Sequence, residues 1–199
     1  MKVYFAPGTC SLATLIVLEE ISAVYQTERV DLAKKLTETG EDYRRINPRG
    51  AVPALLMDNG EVLTENTAIM QYVCDSLAPG YLPAGGTVAR ARVLEALSYI
   101  GSEVHKSYSP LFRPMAEDLR AAQIAVLDAR LAVVEGWLAD GRSYLTGEGF
   151  GPQDAYLYTV TGWSQGLGHD LSAFPAILAH RARVGERPSV QRARARSAG

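Results

Sequence analysis

The chain lacks the features that mark several protein classes. Only two of its 199 residues are cysteine, Cys10 and Cys74, too few for the disulfide framework of a small secreted domain. They cannot complete a zinc site alone, and the three histidines, His105, His169 and His180, are scattered, so no metal is expected. No apolar run reaches the roughly 18 residues that cross a bilayer, and Met1-Lys2-Val3-Tyr4 has no signal-peptide pattern. Formal net charge is only -2, which gives no overall pull toward nucleic acid or an anionic membrane. Arg181, Arg183, Arg187, Arg192, Arg194 and Arg196 lack interleaved aromatics and read as a solvated helix face and a frayed tail. With 47% hydrophobic and 21% charged residues, the chain is globular, not disordered. A cytoplasmic protein with reduced thiols is the expectation, with neither nucleic acid nor membrane as a partner.

The pattern changes near residue 80. Ala78-Pro79-Gly80 and Leu82-Pro83-Ala84-Gly85-Gly86 form a stretch that no regular element tolerates, so residues 1–79 and 87–199 read as two domains. In the first, Lys2–Ala6 is a strand, Thr9–Ser22 a helix, Glu28–Leu32 a strand and Tyr43–Ile46 a helical turn. Val52–Met57 and Val62–Leu63 are two strands joined by a turn at Asp58-Asn59-Gly60-Glu61. Thr64 or Asn66 then caps a helix reaching Leu77. That order predicts a mixed four-stranded sheet with helices packed on it. The second domain reads as all helical: 87–109, 116–139, 152–167 and 175–184. Ile124, Leu127, Leu131, Val134 and Leu138 are spaced by three and four, which buries one face in a bundle.

Four places could carry chemistry. Cys10 follows the first strand where the first helix begins, and unpaired N–H groups there favour an anion. An ordinary thiol, with a pKa of about 8.5, is only a few per cent thiolate at neutral pH. Lowering that by one to two units takes about 1.4–2.7 kcal/mol, within reach of a helix terminus and one or two hydrogen bonds. The bland reading is an inert buried cysteine. With alanine at 13 there is no dithiol motif, so a reactive Cys10 would act as a monothiol. At Val52-Pro53, a cis bond would turn the Val52 backbone outward, ready to pair with a peptide-like ligand. An ordinary strand start is the alternative. Thr64-Glu65-Asn66 opens a helix whose N–H groups and carboxylate suit an amino-acid zwitterion, or is simply a cap. Finally, Ser98, Ser102, His105 and Ser109 fall on one face of a regular helix. They face either solvent or a cleft in which an imidazole could hold a thiolate or act as acid or base. Glu103 and Lys106 are spaced to pair with each other.

Taken in order, these signals form a longer pattern. It runs from Met1–Leu12 through Ile46-Asn47-Pro48-Arg49-Gly50-Ala51-Val52-Pro53-Ala54-Leu55, Leu63-Thr64-Glu65, Ala68–Tyr72, Ser102–Lys106, Tyr108–Phe112 and Asp154–Leu157 to Glu186-Arg187-Pro188. On these residues, over nearly the whole length, the chain resembles a bacterial beta-class glutathione transferase. The resemblance implies a thioredoxin-like N-terminal domain followed by an all-helical bundle, and an enzyme of detoxification that acts as a cytosolic homodimer. Glutathione would be a co-substrate, not a cofactor, and its thiolate would be delivered to a small hydrophobic electrophile. Cys10 would lie against the glutathione sulfur and could form a mixed disulfide with it, and His105 would sit near that sulfur. Val52 would pair with the cysteinyl unit, Glu65 and Asn66 would hold the γ-glutamyl end, and Lys35 the glycyl carboxylate. Ser98, Ser102 and Glu103 would add contacts, the last two reaching toward a neighbouring subunit, and Phe112 and Trp163 would wall the electrophile pocket.

Three positions depart from the family pattern. Phe5 replaces a tyrosine, which excludes activation of the thiol from that position. Ser98 replaces an asparagine and has fewer donors. Gly151-Pro152-Gln153-Asp154 lacks the Ser or Thr of a full capping box. Two other functions fit the same resemblance: glutathione-dependent thiol–disulfide exchange, and a non-catalytic binding or regulatory protein that keeps the fold.

Overall fold

A computed structural model describes residues 1–147 and 149–198. The chain divides into two compact units. One comprises Met1–Leu82 with the C-terminal helix Pro188–Ala198, and the other Pro83–Arg187. The helical half read from sequence, 87–199, and the second unit differ at that last helix.

The first unit is built on β1 (Lys2–Phe5), β2 (Gln26–Asp31), β3 (Leu36–Thr37), β4 (Ala54–Leu56) and β5 (Val62–Thr64), in the order β3-β2-β1-β4-β5. β1 and β2 run parallel, with Tyr4 opposite Glu28, because α1 (Ser11–Glu20) carries the chain between them. β4 and β5 pair antiparallel around the turn at Asp58–Gly60, with Leu55 opposite Leu63. Four strands are those expected. The fifth, β3, is two residues long and pairs antiparallel with β2, too short for an alternating pattern to reveal it. One face of the sheet gathers Tyr4, Val30, Tyr43, Val52 and Ala54. Elsewhere in the unit Leu15, Ile16, Leu55, Ile69, Met70 and Val73 are fully buried.

α1 packs against α2 (Asn66–Leu77) and against α9 (Pro188–Ala198). The C-terminal arginines are therefore not a frayed tail. Glu19 of α1 accepts from Arg192 at 2.9 Å and from Arg196 at 3.1 Å, the Arg196 guanidinium lies 4.8 Å from the Tyr25 ring, and Ser189 bonds Glu20. Arg192 and Arg196 read as solvated because their carboxylate partner, Glu19, lies 173 and 177 positions earlier in the chain.

The second unit centres on α6 (Pro152–Thr161), all ten of whose residues are buried. α3 (Val88–Tyr99), α5 (Glu117–Leu138), α7 (Trp163–Leu167) and α8 (Pro175–Gly185) belong to the same unit. Leu127, Leu131, Val134 and Leu138 of α5 face inward as the spacing requires. The helix expected over 87–109 is not regular. After α3 comes a π-helical turn, Ile100–Val104, closed by the His105 N–H on the Ile100 carbonyl. The short α4 (His105–Tyr108) and a 3-10 turn, Ser109–Phe112, follow. The expected 152–167 helix breaks at Gly162 between α6 and α7. Among the described residues no helix is long and apolar enough to cross a membrane, and no group of three His, Cys, Asp or Glu side chains is placed to hold a metal ion.

Candidate active site

In the first unit the turn between β1 and α1 is held by hydroxyls. Thr9 Oγ1 donates to the Ala6 carbonyl at 2.8 Å and meets Ser11 Oγ at 2.7 Å. Thr9 also takes the first free donors of α1: the Ser11 N–H bonds its hydroxyl at 3.3 Å and the Leu12 N–H its carbonyl at 3.3 Å. The unpaired N–H groups expected beside Cys10 are thus already satisfied, because a threonine precedes the cysteine. Cys10 is partly exposed, and its thiol donates to the Val52 carbonyl at 3.4 Å.

The loop that brings Val52 there is fixed from behind. The Ala51 carbonyl accepts from the Tyr43 hydroxyl at 2.8 Å and from Asn47 Nδ2 at 2.7 Å. Burial pushes the Tyr43 phenol up to about 12, so it stays a donor at any physiological pH. Val52-Pro53 is cis, the outward-turning alternative of the two considered. Among the described residues the Val52 N–H has no hydrogen-bond partner.

The other predicted residues of this unit attach to the same loop or to Cys10. Lys35 Nζ donates to the Gly50 carbonyl at 2.9 Å, and both residues have positive φ, 58° and 59°. A Cβ on Gly50 would come within 3.1 Å of the Lys35 side chain, so glycine keeps that approach open. Glu65, the residue before α2, is exposed and pairs with Arg49 at 2.6 Å. Asn66 is 5% exposed and its amide is engaged on both sides: Nδ2 donates to the Cys10 carbonyl at 2.8 Å and Oδ1 accepts from Thr14 at 2.6 Å. Cys10, Lys35, Val52, Glu65 and Asn66 thus lie on the β2–β3 turn, the loop before β4 and two helix starts.

In the second unit His105 is partly exposed. Its Nδ1 lies 2.7 Å from the Tyr156 hydroxyl, and its ring stands edge-on to Trp163 with centroids 5.0 Å apart. Trp163 also meets Phe112 at 5.3 Å and Tyr108 at 5.7 Å. Behind that cluster a chain of hydrogen bonds runs from Tyr108 through Ser164 (2.6 Å) and His169 (3.0 Å) to Asp128 (2.8 Å). Burial raises the Tyr108 phenol to about 12, so its hydroxyl stays protonated. Ser98 and Ser102 are exposed. Glu103 pairs with Arg130 of α5 at 2.8 Å, not with Lys106, because the π turn alters the spacing along the helix surface.

Asp154 fills half of the capping box. Its Oδ2 accepts from the Gly151 N–H at 2.9 Å, and its Oδ1 from the Leu145 N–H at 2.8 Å and from His180 at 2.9 Å. A Cβ on residue 151 would meet Gln153 Oε1 at 2.5 Å, so the glutamine occupies the space a Ser or Thr cap would need. Sequence reasoning missed Tyr156, Tyr43, Asn47 and Thr14 as supports. Tyr156 and Thr14 reach partners 51 and 52 positions away, which no local signal would have found, whereas Tyr43 and Asn47 reach Ala51 over eight and four residues within irregular chain, where no periodic pattern points to the contact.

Comparison with known proteins agrees with this architecture. The family model for the glutathione S-transferase N-terminal domain matches residues 8–76, and that for the C-terminal domain residues 102–188. Glutathione S-transferase GstA of Escherichia coli O157:H7 is 42% identical over 193 residues, 96% of each chain. A sphingomonad glutathione S-transferase complexed with glutathione superposes with a TM-score of 0.93 at 42% identity, covering 100% of this chain and 99% of that one. A bacterial beta-class enzyme from Sphingomonas chungbukensis gives 0.92 at 39%, covering 99% and 98%. These matches make the chain, with its thioredoxin-like unit and its helical one, a member of the glutathione S-transferase family. Within the family it groups with the bacterial beta class.

Proposed function

We infer that the chain is a glutathione transferase that binds glutathione, favours its thiolate and delivers it to an electrophilic carbon. The observation that carries the binding step is the Val52 N–H, which has no partner among the described residues, on the residue whose carbonyl accepts from the Cys10 thiol. A backbone donor left open on a rigid loop is what an extended peptide pairs with. The rest of the reading assigns the γ-glutamyl end to Glu65 and the N-terminus of α2, with Asn66 positioning Cys10, and the glycyl carboxylate to Lys35. The sulfur goes to Cys10 and His105, and the electrophile to an aromatic wall of Phe112 and Trp163. Ser98, Ser102 and Glu103 are assigned further contacts. Catalysis then comes from proximity and from stabilisation of the thiolate, with glutathione as co-substrate and no cofactor.

The working form in this reading is a homodimer. Leu119, Val126 and Val133 recur every seventh residue on α5 and are 61%, 45% and 42% exposed, a stripe suited to cover by a second copy. Two cysteines that form no disulfide suit the reducing cytoplasm.

The test is conjugation of a chromogenic aryl halide. Cys10→Ala and His105→Ala are each expected to lower kcat/KM by about tenfold or more. Wild-type rates in both, with glutathione still bound, would show that the two roles are misassigned. Thiol–disulfide exchange is a second reading, favoured by the partly exposed Cys10 thiol. A glutathione adduct on Cys10 in the mass of the purified protein, with faster disulfide than aryl-halide turnover, would put it first.

A further inference from the structure

His105 could serve a sulfur in two ways. A neutral imidazole has one N–H and one bare nitrogen. With the proton on Nδ1, Nε2 is a base; with the proton on Nε2, that nitrogen is a hydrogen-bond donor. The bond made by one ring nitrogen decides the state of the other. Here that bond is to Tyr156, whose oxygen lies 2.7 Å from Nδ1.

The chemistry of the pair fixes the direction. A phenol is an acid near pKa 10 and imidazole a base near 6.5, so O–H to nitrogen joins the better donor to the better acceptor. The reverse arrangement would ask a phenol oxygen, whose lone pair is drawn into its ring, to accept from a neutral N–H. Tyr156 is 4% exposed and sits in the buried helix α6, so it is a stationary partner. Trp163, edge-on at 5.0 Å, limits rotation of the imidazole. The π turn that ends at the His105 N–H carries the ring to this place, and such turns recur at functional sites.

We propose that Tyr156 is a positioning residue: its hydroxyl donates to Nδ1 of His105, keeps the ring proton on Nε2, and so presents the imidazole as a neutral hydrogen-bond donor and not as a base. Resting on the transferase reading, this makes His105 a stabiliser of a thiolate already formed, because a donor lowers the energy of a negative sulfur without taking its proton.

The experiment is long-range ¹H–¹⁵N correlation of the histidine rings in the intact, ligand-free protein, above the pH at which His105 titrates. With three histidines in the chain, the signals absent from His105→Ala identify the residue. The wild type is expected to show Nε2 protonated and Nδ1 bare. Tyr156→Phe is expected to shift the ring toward the other tautomer or a mixture, and to lower kcat/KM for aryl-halide conjugation by about tenfold with little change in the KM for glutathione. A proton on Nδ1 in the wild type overturns the proposal, and this needs no variant to fold. A rate loss in a folded Tyr156→Phe with an unmoved tautomer also overturns it, since the tyrosine would then be packing only. The expected tautomers in a protein that conjugates nothing would uphold the Tyr156–His105 pairing and defeat the transferase reading instead.

Discussion

The two units hold their candidate reactive groups by different means. Around Cys10 the supports are backbone carbonyls and small polar side chains close by in sequence or on one loop: Thr9, Ser11, Asn47, Ala51 and Val52, with Asn66 as the long-range tie. Around His105 they are whole aromatic side chains delivered by other helices, and the Tyr156 partner lies 51 positions away. A thiol needs its immediate backbone shaped, and a turn does that. An imidazole needs its ring oriented, which takes bulky neighbours and a fixed hydrogen bond. Damage to each unit should therefore look different.

The largest effect is expected in the second unit, from a residue remote from chemistry. Asp154 is fully buried and accepts from Gly151, Leu145 and His180. Asp154→Ala removes the acceptor of these three donors and of Gln153 Nε2, which bonds Oδ2 at 3.0 Å, around the start of α6, the helix that carries Tyr156. A loss of about 3–5 kcal/mol follows for a buried, hydrogen-bonded carboxylate, read as a lower urea midpoint. A loss under about 1 kcal/mol would mean that α6 is anchored elsewhere.

In the first unit the corresponding variant is Asn66→Ala, and it should cost less. It removes the bonds to the Cys10 carbonyl and to Thr14, with a loss of about 1–3 kcal/mol, mostly from buried partners left unsatisfied. Adding Thr14→Val removes one of those stranded groups, so the double variant should recover part of the loss. Strict additivity of the two losses would refute the coupling. Conjugation should fall further than stability explains, because the carbonyl released belongs to Cys10.

The same contrast governs what could be read in advance. The β1 turn with Cys10, the Val52-Pro53 loop and the α2 start at Glu65-Asn66 were legible, because turn residues and helix ends act over a few positions. So was the inward stripe of α5, since periodicity is itself local. What stayed hidden needed a second segment to be known. Thr9 absorbs the N–H groups expected to face Cys10, Glu103 reaches Arg130 across a π turn that no residue pattern announces, and α9 finds Glu19. Ser98, Ser102 and His105 were placed on one face by regular spacing, and a single wide turn undoes that assumption.

The smallest effect is a titration. Burial works to raise the Glu19 carboxyl, but bonds from Tyr25, Arg192 and Arg196 outweigh it and hold the group below the usual carboxylate range. A carboxylate lowered in the folded state stabilises fully above its unfolded value, about 4.3 for glutamate, and loses that contribution as pH falls through the folded value. The docking of α9 on α1 should therefore be constant at neutral pH and loosen only in acid. In the second unit the hydrogen bond from Arg142 holds Asp140 down at about 2, yet its partner is two residues away, so its protonation releases no distant element. Hydrogen exchange of α9 amides at neutral pH and below pH 4 tests the difference. Protection should fall in acid in the wild type and be already reduced and nearly pH-independent in Glu19→Gln. Equal acid sensitivity in both would show that a titrating group other than Glu19 holds α9.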